Sequence, residues 1–432
     1  RYGKLPRVPT MPERLRENAN NLYADVFWYG VLAGSSIAFL PVYAARIGAA
    51  AFLIGLLTSG PAVVNLAASL PAAHWLERRS VIRVTYLTAI WHRVGFLLLI
   101  PLPWLLPAAH QVWAMPLIIV AMAVPGTLLA IAFNALFADV IAPEWRSHVV
   151  GRRNVLLSIS LTVTTLGCGQ LLDWIAFPLN YQIVFALGAL GAALSTYYLG
   201  RIRALNGPPP RVGKPVGDVA PSGQLRFADA FRQPPGLRFL TRAAGRALLR
   251  LELLRGSFGP FMLAYFLFYT FQFLTVPIVP LFWVNELHLS DGAISLGNGI
   301  FYLVMLLFST QLARVSQRLG HHRVLALGAL FYCSYPLLHS LAHDARLFWV
   351  ASVIGGGAWA LTNGGLVNRL MERVPEDDRP AHMALHNLAL NLGILCGSVL
   401  GPLLGDWIGL RQALAVGGVL RFLGGIALGL WG

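Results

Sequence analysis

Twelve stretches of about 20 mostly apolar residues recur along the chain, and no other feature restricts its fold as much. They run over residues 22–45, 51–76, 81–106, 112–140, 149–172, 180–200, 258–283, 292–313, 322–341, 346–370, 381–404 and 411–432. Each is long enough to cross the ~30 Å hydrocarbon of a bilayer as an α-helix. Lipid offers no partner to a lone N–H or C=O, and the runs are too long and too evenly apolar for barrel strands. The expected fold class is therefore an all-α integral membrane protein with twelve transmembrane helices. Only 12% of the residues are charged, about half the share of a soluble domain. Pro125 and Gly355 to Gly357, inside spans, read as kinks or close-packing points.

The net charge of +15 would suggest nucleic-acid binding in a soluble protein. Here its distribution argues otherwise. Only Arg46, Arg346 and Arg411 fall near one side, Arg93 and Arg421 fall within spans, and every other Lys or Arg falls on the opposite side. That is the positive-inside bias, so both termini are expected in the cytoplasm and no nucleic-acid partner is expected. Cys168, Cys333 and Cys396 all lie in apolar runs without paired spacing, which gives neither a disulfide framework nor a zinc site. The basic stretch through Asn20 lacks the pattern of a cleaved leader. Residues 201–257 hold Pro208 to Pro210, Pro234, Pro235 and eleven Lys or Arg against three acids, and read as a cytoplasmic linker. Within it Arg238, Arg242, Arg246 and Arg250 recur every four residues, as in a helix lying on an anionic membrane or one that merely joins two domains. The domains are then 1–200, 201–257 and 258–432.

The two flanking domains repeat each other. Ala73 to Arg83, after span two, is matched by Ala313 to Arg323, after span eight. Asp139, Pro143, Asn154, Asp173 and Trp174 are matched in order by Glu372, Pro375, Asn387, Asp406 and Trp407, and Pro41 by Pro280. In its two parallel six-helix halves the chain resembles the major facilitator superfamily (MFS) of transporters. Glu77, Arg78, Ser80 and Arg83, and again Gln317, Arg318, Gly320 and Arg323, resemble that family's loop motif, Gly-x-Leu-Ala-Asp-Arg-x-Gly-Arg-Arg. The match is degenerate, with Ala73 and Ala313 in place of the first Gly and Glu77 and Gln317 in place of Asp.

The resemblance implies a conformational latch on the cytoplasmic side. Asp139 would pair with Arg78 or Arg83, Glu77 would meet a helix N-terminus, and Arg318 and Arg323 would engage Glu372. The alternative is that these residues only set topology. It also implies a substrate cavity between the halves near the bilayer midplane. Polar residues near mid-depth are Ser35, Ser36, Asn65, Ser158, Thr162, Tyr269, Gln272, Asn298, Tyr302, Trp359, Asn363 and Asn391, each either lining that cavity or joining helix to helix.

Charges within spans carry more information, because each costs about 2.5–3.5 kcal/mol at the bilayer centre even on the lenient insertion scale. Arg93, beside His92, and Arg421 are such charges, and either bind an anionic or polar headgroup-like part of a substrate, or a lipid, or else snorkel or pair with helix-end carbonyls. No Asp or Glu is expected at mid-span. Asp25 lies within a turn or two of the cytoplasmic end, and Asp25, His92 and His386 are the candidates for proton coupling. His382 and His386, four apart, lack a third ligand type for a metal. No phosphate-cradling loop or catalytic constellation occurs, so no cofactor and no enzymatic activity is expected.

The leading reading is a secondary transporter of a small organic, amphiphilic solute across an inner membrane, efflux favoured, with membrane lipids around it. The alternative is a non-transporting accessory subunit of the same fold that binds lipid, pigment or a partner protein.

Overall fold

A computed structural model describes residues 11–76, 79–204, 250–375 and 379–432. Twelve long helices follow one another: α1 (Glu13–Arg46), α2 (Ala51–Leu76), α3 (Val81–Leu99), α4 (Ala108–Val140), α5 (Pro143–Trp174), α6 (Leu179–Gly200), α7 (Phe258–Glu286), α8 (Asp291–Leu319), α9 (His321–Leu341), α10 (Ala345–Arg373), α11 (Arg379–Ile408) and α12 (Leu410–Trp431). Eleven are long and apolar enough to cross a membrane by length and composition. The twelfth, α3, is made more polar by Arg83, His92 and Arg93. Several helices outrun the apolar stretches that announce them. α1 starts at Glu13 rather than near residue 22, and α5 starts at Pro143, where proline is tolerated at the first turn because its missing N–H would be unpaired there anyway.

Apart from the stretch between α6 and α7, connections are short, and two consist of a single residue. Gly320 (φ +80°) links α8 to α9 and Gly409 (φ +87°) links α11 to α12, both in a backbone region that a side chain disfavours. Three helices are interrupted in mid-course, α9 by a turn at Cys333. α1 passes through a π-helical turn at Ala33–Ile37, and α7 breaks after Thr275, where Pro277 cannot donate the next helical bond.

The internal repeat is visible as repeated packing. In the first half α1 packs on α5 and α6, α2 on α4, and α3 on α4 and α6. In the second half the five equivalent pairs recur: α7 on α11 and α12, α8 on α10, and α9 on α10 and α12. The halves meet along two seams that are themselves equivalent, α2 against α11 and α5 against α8. Because α1 to α12 alternate in direction, one end of the molecule carries both termini; the other is called the far end below.

Hydrocarbon supplies no hydrophobic force between helices, so close backbone approach must hold them together. Gly393, Gly397 and Gly401 form a ridge on α11 that lies directly on α7: an added Cβ would stand 2.3 Å from the Thr270 carbonyl oxygen at Gly397 and 2.0 Å from that of Leu274 at Gly401. On α10, Gly356 meets the Phe301 carbonyl oxygen in the same way, at 2.4 Å. Leu97, Leu117, Val163, Leu307, Leu403 and Leu430 meanwhile stand exposed, the reverse of a water-facing surface.

Residues 205–249, which carry most of the expected surface helix, lie outside the described residues; from Leu251 to Arg255 there is one short 3-10 turn.

Gly397→Ala is expected to lower stability by ~1–3 kcal/mol, because the opposing atom is backbone and cannot turn aside. Gly167→Ala, where nothing lies within 4 Å, is the control and should not lower stability. Thermal denaturation of the purified protein in neutral detergent distinguishes them.

Candidate functional site

At the far end, polar side chains join the two halves across the α5–α8 seam. Arg46, the last residue of α1, donates to Asp291 Oδ1 from Nη2 at 3.1 Å and from Nε at 3.3 Å, and reaches the Leu289 carbonyl. Tyr181 of α6 donates its hydroxyl to the same Asp291 oxygen at 2.8 Å. Asp173, at the end of α5, accepts from the Gly292 N–H at 3.0 Å and from the Ser290 hydroxyl at 2.9 Å. The first half thus caps the N-terminus of a helix in the second, where an anion is favoured by the helix dipole. The approach is close: a Cβ on Gly292 would fall 2.2 Å from Asp173 Oδ2, and one on Gly169 would fall 1.8 Å from Ser295 Oγ.

None of these contacts was expected from sequence. Arg46 stood out as one of few basic residues on its side, and Ser290-Asp291 is a good cap sequence, but neither named its partner. The repeat is broken here. Asp406, the counterpart of Asp173, is exposed and joins no hydrogen bond or ion pair among the described residues.

A second polar centre lies inside the first half. Asp25 is fully buried and accepts from Ser195 of α6, from Arg93 of α3 at 3.4 Å and from Arg153 of α5 at 3.2 Å. Arg93 also donates to Thr196 at 2.9 Å, and Arg153 stacks over the Phe133 ring at 4.7 Å. This corrects two expectations. Arg93 neither snorkels nor awaits a ligand; it is buried in an ion pair. Asp25 lies about 18 Å along α1 from Glu13, deeper than a turn or two. Arg153, counted from sequence among the basic residues of the terminal side, is the missed member.

The mid-depth candidates divide. Ser35 bonds the Val31 carbonyl at 2.6 Å, Ser36 lies against Gly188 of α6, and Asn65 accepts from Thr127 of α4, so these three pack within the first half. His92 joins the Met122 carbonyl of α4 at 2.9 Å. In the second half Tyr269 is hydrogen-bonded to His386 Nε2 at 3.0 Å, and Tyr302, Gln272, Trp359 and Asn391 are buried, Asn391 donating to the Asn387 carbonyl at 2.9 Å. His382 sits edge-on to Phe258, with ring centroids 4.5 Å apart. Ser158, Thr162, Asn298 and Asn363 are half-buried.

On the terminal side Glu77 and Arg78 lie outside the described residues. Glu372 is engaged by Arg369 at 3.0 Å and His321 at 3.8 Å, not by Arg318 or Arg323, which like Gln317 and Arg83 are exposed. Helical register explains the correction: Arg369 is three residues from Glu372 on the same face. Arg146 of α5, not Arg83, covers the end of α4, donating to the carbonyls of Ala138 and Ile141.

Two pseudo-symmetric six-helix bundles meeting on these two seams have the fold of a class of polytopic membrane transporters. Comparison with known proteins agrees. Residues 261–432 match the model of the Major Facilitator Superfamily. The Multidrug resistance protein 1 of Bacillus subtilis (strain 168) is 23% identical over 133 residues, 31% of this chain and 34% of that relative, so the chain spans about a third of the curated relative it matches. Among solved structures, the nucleoside transporter NupG superposes with a TM-score of 0.71 at 12% identity over 96% of this chain and 99% of that one. The xylose transporter XylE from E. coli, in a partially occluded inward open conformation, gives 0.65 at 12% identity over 96% and 97%. The family model covers the second half of the chain and the solved transporters share the fold of the whole, which supports a membrane transporter of this type rather than an enzyme.

Asp25→Asn should strand two buried guanidinium groups and cost ~3–5 kcal/mol, read as a large fall in melting temperature. An unchanged melting temperature would show that the centre carries no structural weight.

Proposed function

We propose that this protein is a secondary transporter that moves a small organic, amphiphilic solute by alternating access between its two halves. The observation that carries this is the far-end lock. Arg46, Tyr181 and Asp173 in one half hold Leu289, Ser290, Asp291 and Gly292 in the other, so α5 and α8 cannot part at that end without breaking every one of these contacts. Such a set works as a latch on one of two states, since each 1.4 kcal/mol of differential contact shifts the populations tenfold. Charge asymmetry favours a cytoplasmic location for the termini, with the far end then facing outward from an inner membrane. On that orientation the lock closes the outer side and cargo exchanges with the cytoplasm, the side open in the XylE structure named above. Glu77, Arg78 and Asp139 are our candidates for the opposing latch.

The solute class is read from the character of the second half's interior. Phe261, Tyr265, Tyr269, Tyr302 and Trp359 give the second half an aromatic interior with few charges, which suits an amphiphile better than a sugar. The relation to a multidrug resistance protein favours efflux.

Flux of fluorescent amphiphiles in proteoliposomes tests the activity, and a stable ligand complex without flux would point instead to a non-transporting subunit. The lock has its own test, in the Cys168→Ser, Cys333→Ser, Cys396→Ser background carrying Ser295→Cys. That cysteine is buried in the seam, and Asp291→Asn should raise its labelling by a membrane-impermeant maleimide about tenfold. Equal labelling with and without Asp291→Asn would remove the lock from the mechanism.

A further inference from the structure

Arg421 is 1% exposed, and no acidic residue pairs with it among the described residues. Its position is built by glycine. Gly417, Gly418, Gly424 and Gly425 stand three and four residues to either side, on the same face of α12. An added Cβ would meet Thr275 at 2.4 Å from Gly417, Leu337 at 2.5 Å from Gly418, Phe271 at 3.2 Å from Gly424 and the backbone of Ala329 at 3.1 Å from Gly425. This face therefore sinks between α7 and α9 and carries Arg421 into the bundle. There Nη2 donates to the Gln272 carbonyl at 2.9 Å and to the Thr275 hydroxyl, just where α7 breaks. The guanidinium lies 4.5 Å over the Tyr332 ring, whose centroid is 5.0 Å from that of Trp359 on α10. Beyond the Tyr332 side chain, Nε and Nη1 meet no hydrogen-bond partner among the described residues.

A neutral donor such as Gln or Asn could cover one carbonyl at the end of a helix segment. A permanent cation left without a counter-ion costs far more in an apolar interior, so capping alone does not explain it. Among the described residues the opposite sign has no equivalent. Asp25 is committed to Arg93 and Arg153, and Asp139, Asp173, Asp291, Glu372 and Asp406 stand at helix ends.

We propose that the solute carries a negative charge, and that Arg421 selects it by its field through the Tyr332 and Trp359 layer. This deepens the transporter reading by naming the class of cargo: an anionic amphiphile, an aromatic or aliphatic body bearing a carboxylate, sulfonate or phosphate. At an effective dielectric near 20, a unit charge acting over ~10 Å separates an anion from a matched cation by at least about tenfold in affinity.

The test is equilibrium dialysis of the full chain, in neutral detergent, against naphthalene sulfonate, naphthyl methanol and naphthylmethyl ammonium, which share one apolar body and differ in charge. The wild type should bind the sulfonate at least about tenfold more tightly than the ammonium. Arg421→Gln should bring the two within about threefold, while Arg421→Lys keeps the preference and the exposed-surface control Arg314→Gln leaves it intact. Equal or reversed affinities in the wild type overturn the proposal whether or not the Gln variant folds, as does binding of none of the three. A preference unchanged in folded Arg421→Gln overturns it too. Anion preference without flux would sink the transporter reading and leave this one standing; flux without preference would do the opposite.

Discussion

A polar group in hydrocarbon must find a partner inside the protein, and the structure depends on that constraint at every level. It makes each crossing segment a helix, because only a helix satisfies its own backbone within the segment. It also decides what happens to side chains that cannot be left facing lipid. Asp25 does not stand alone on α1; it draws Arg93, Arg153 and Ser195 from three other helices and so ties the first half around one carboxylate. Arg421 in the second half takes a carbonyl and a hydroxyl exposed by the break in α7.

In the proposed mechanism the two halves separate, and the same constraint bears on how they would do so. Within each half the helices are joined by glycine contacts too close to rearrange, as where Gly397 and Gly401 rest on the backbone of α7. Between the halves the polar far-end contacts are hydrogen bonds and an ion pair from Arg46, Asp173 and Tyr181 to the start of α8, beside packing of the end of α1 on α7. Arg46 is only partly buried, so water can replace these partners as the seam opens. The α5–α8 seam also packs closely, at Gly169 and Gly292, but there the glycines face side chains, whereas on the α2–α11 seam Gly55 lies against the Ser398 carbonyl; the exchangeable polar contacts are those of the far end.

Much of this architecture was legible in the chain. Long apolar runs located all twelve helices, and the repeated Asp139, Asp173 and Trp174 pattern announced two equivalent halves, because duplication keeps spacing even where residue types drift. The site was less legible. Ser35, Ser36 and Asn65 are as polar as any cavity-lining residue, yet the rotation of α1 and α2 about their axes turns them to neighbours in their own half. Arg153 was hidden by its place beside Arg152 at the start of a span, where a basic residue ordinarily marks the membrane edge.

Length, apolar content and the order of charged residues acted locally, so the sequence by itself determined that the chain crosses a bilayer as two related sets of helices. Partnership is a different kind of property. Whether Glu372 meets Arg369 or Arg323, and whether Asp173 reaches α8, turns on helix rotation and on how near the backbones approach at Gly169 and Gly292. Only the tertiary structure decided those pairings, because each joins residues whose distance in space the spacing along the chain does not encode.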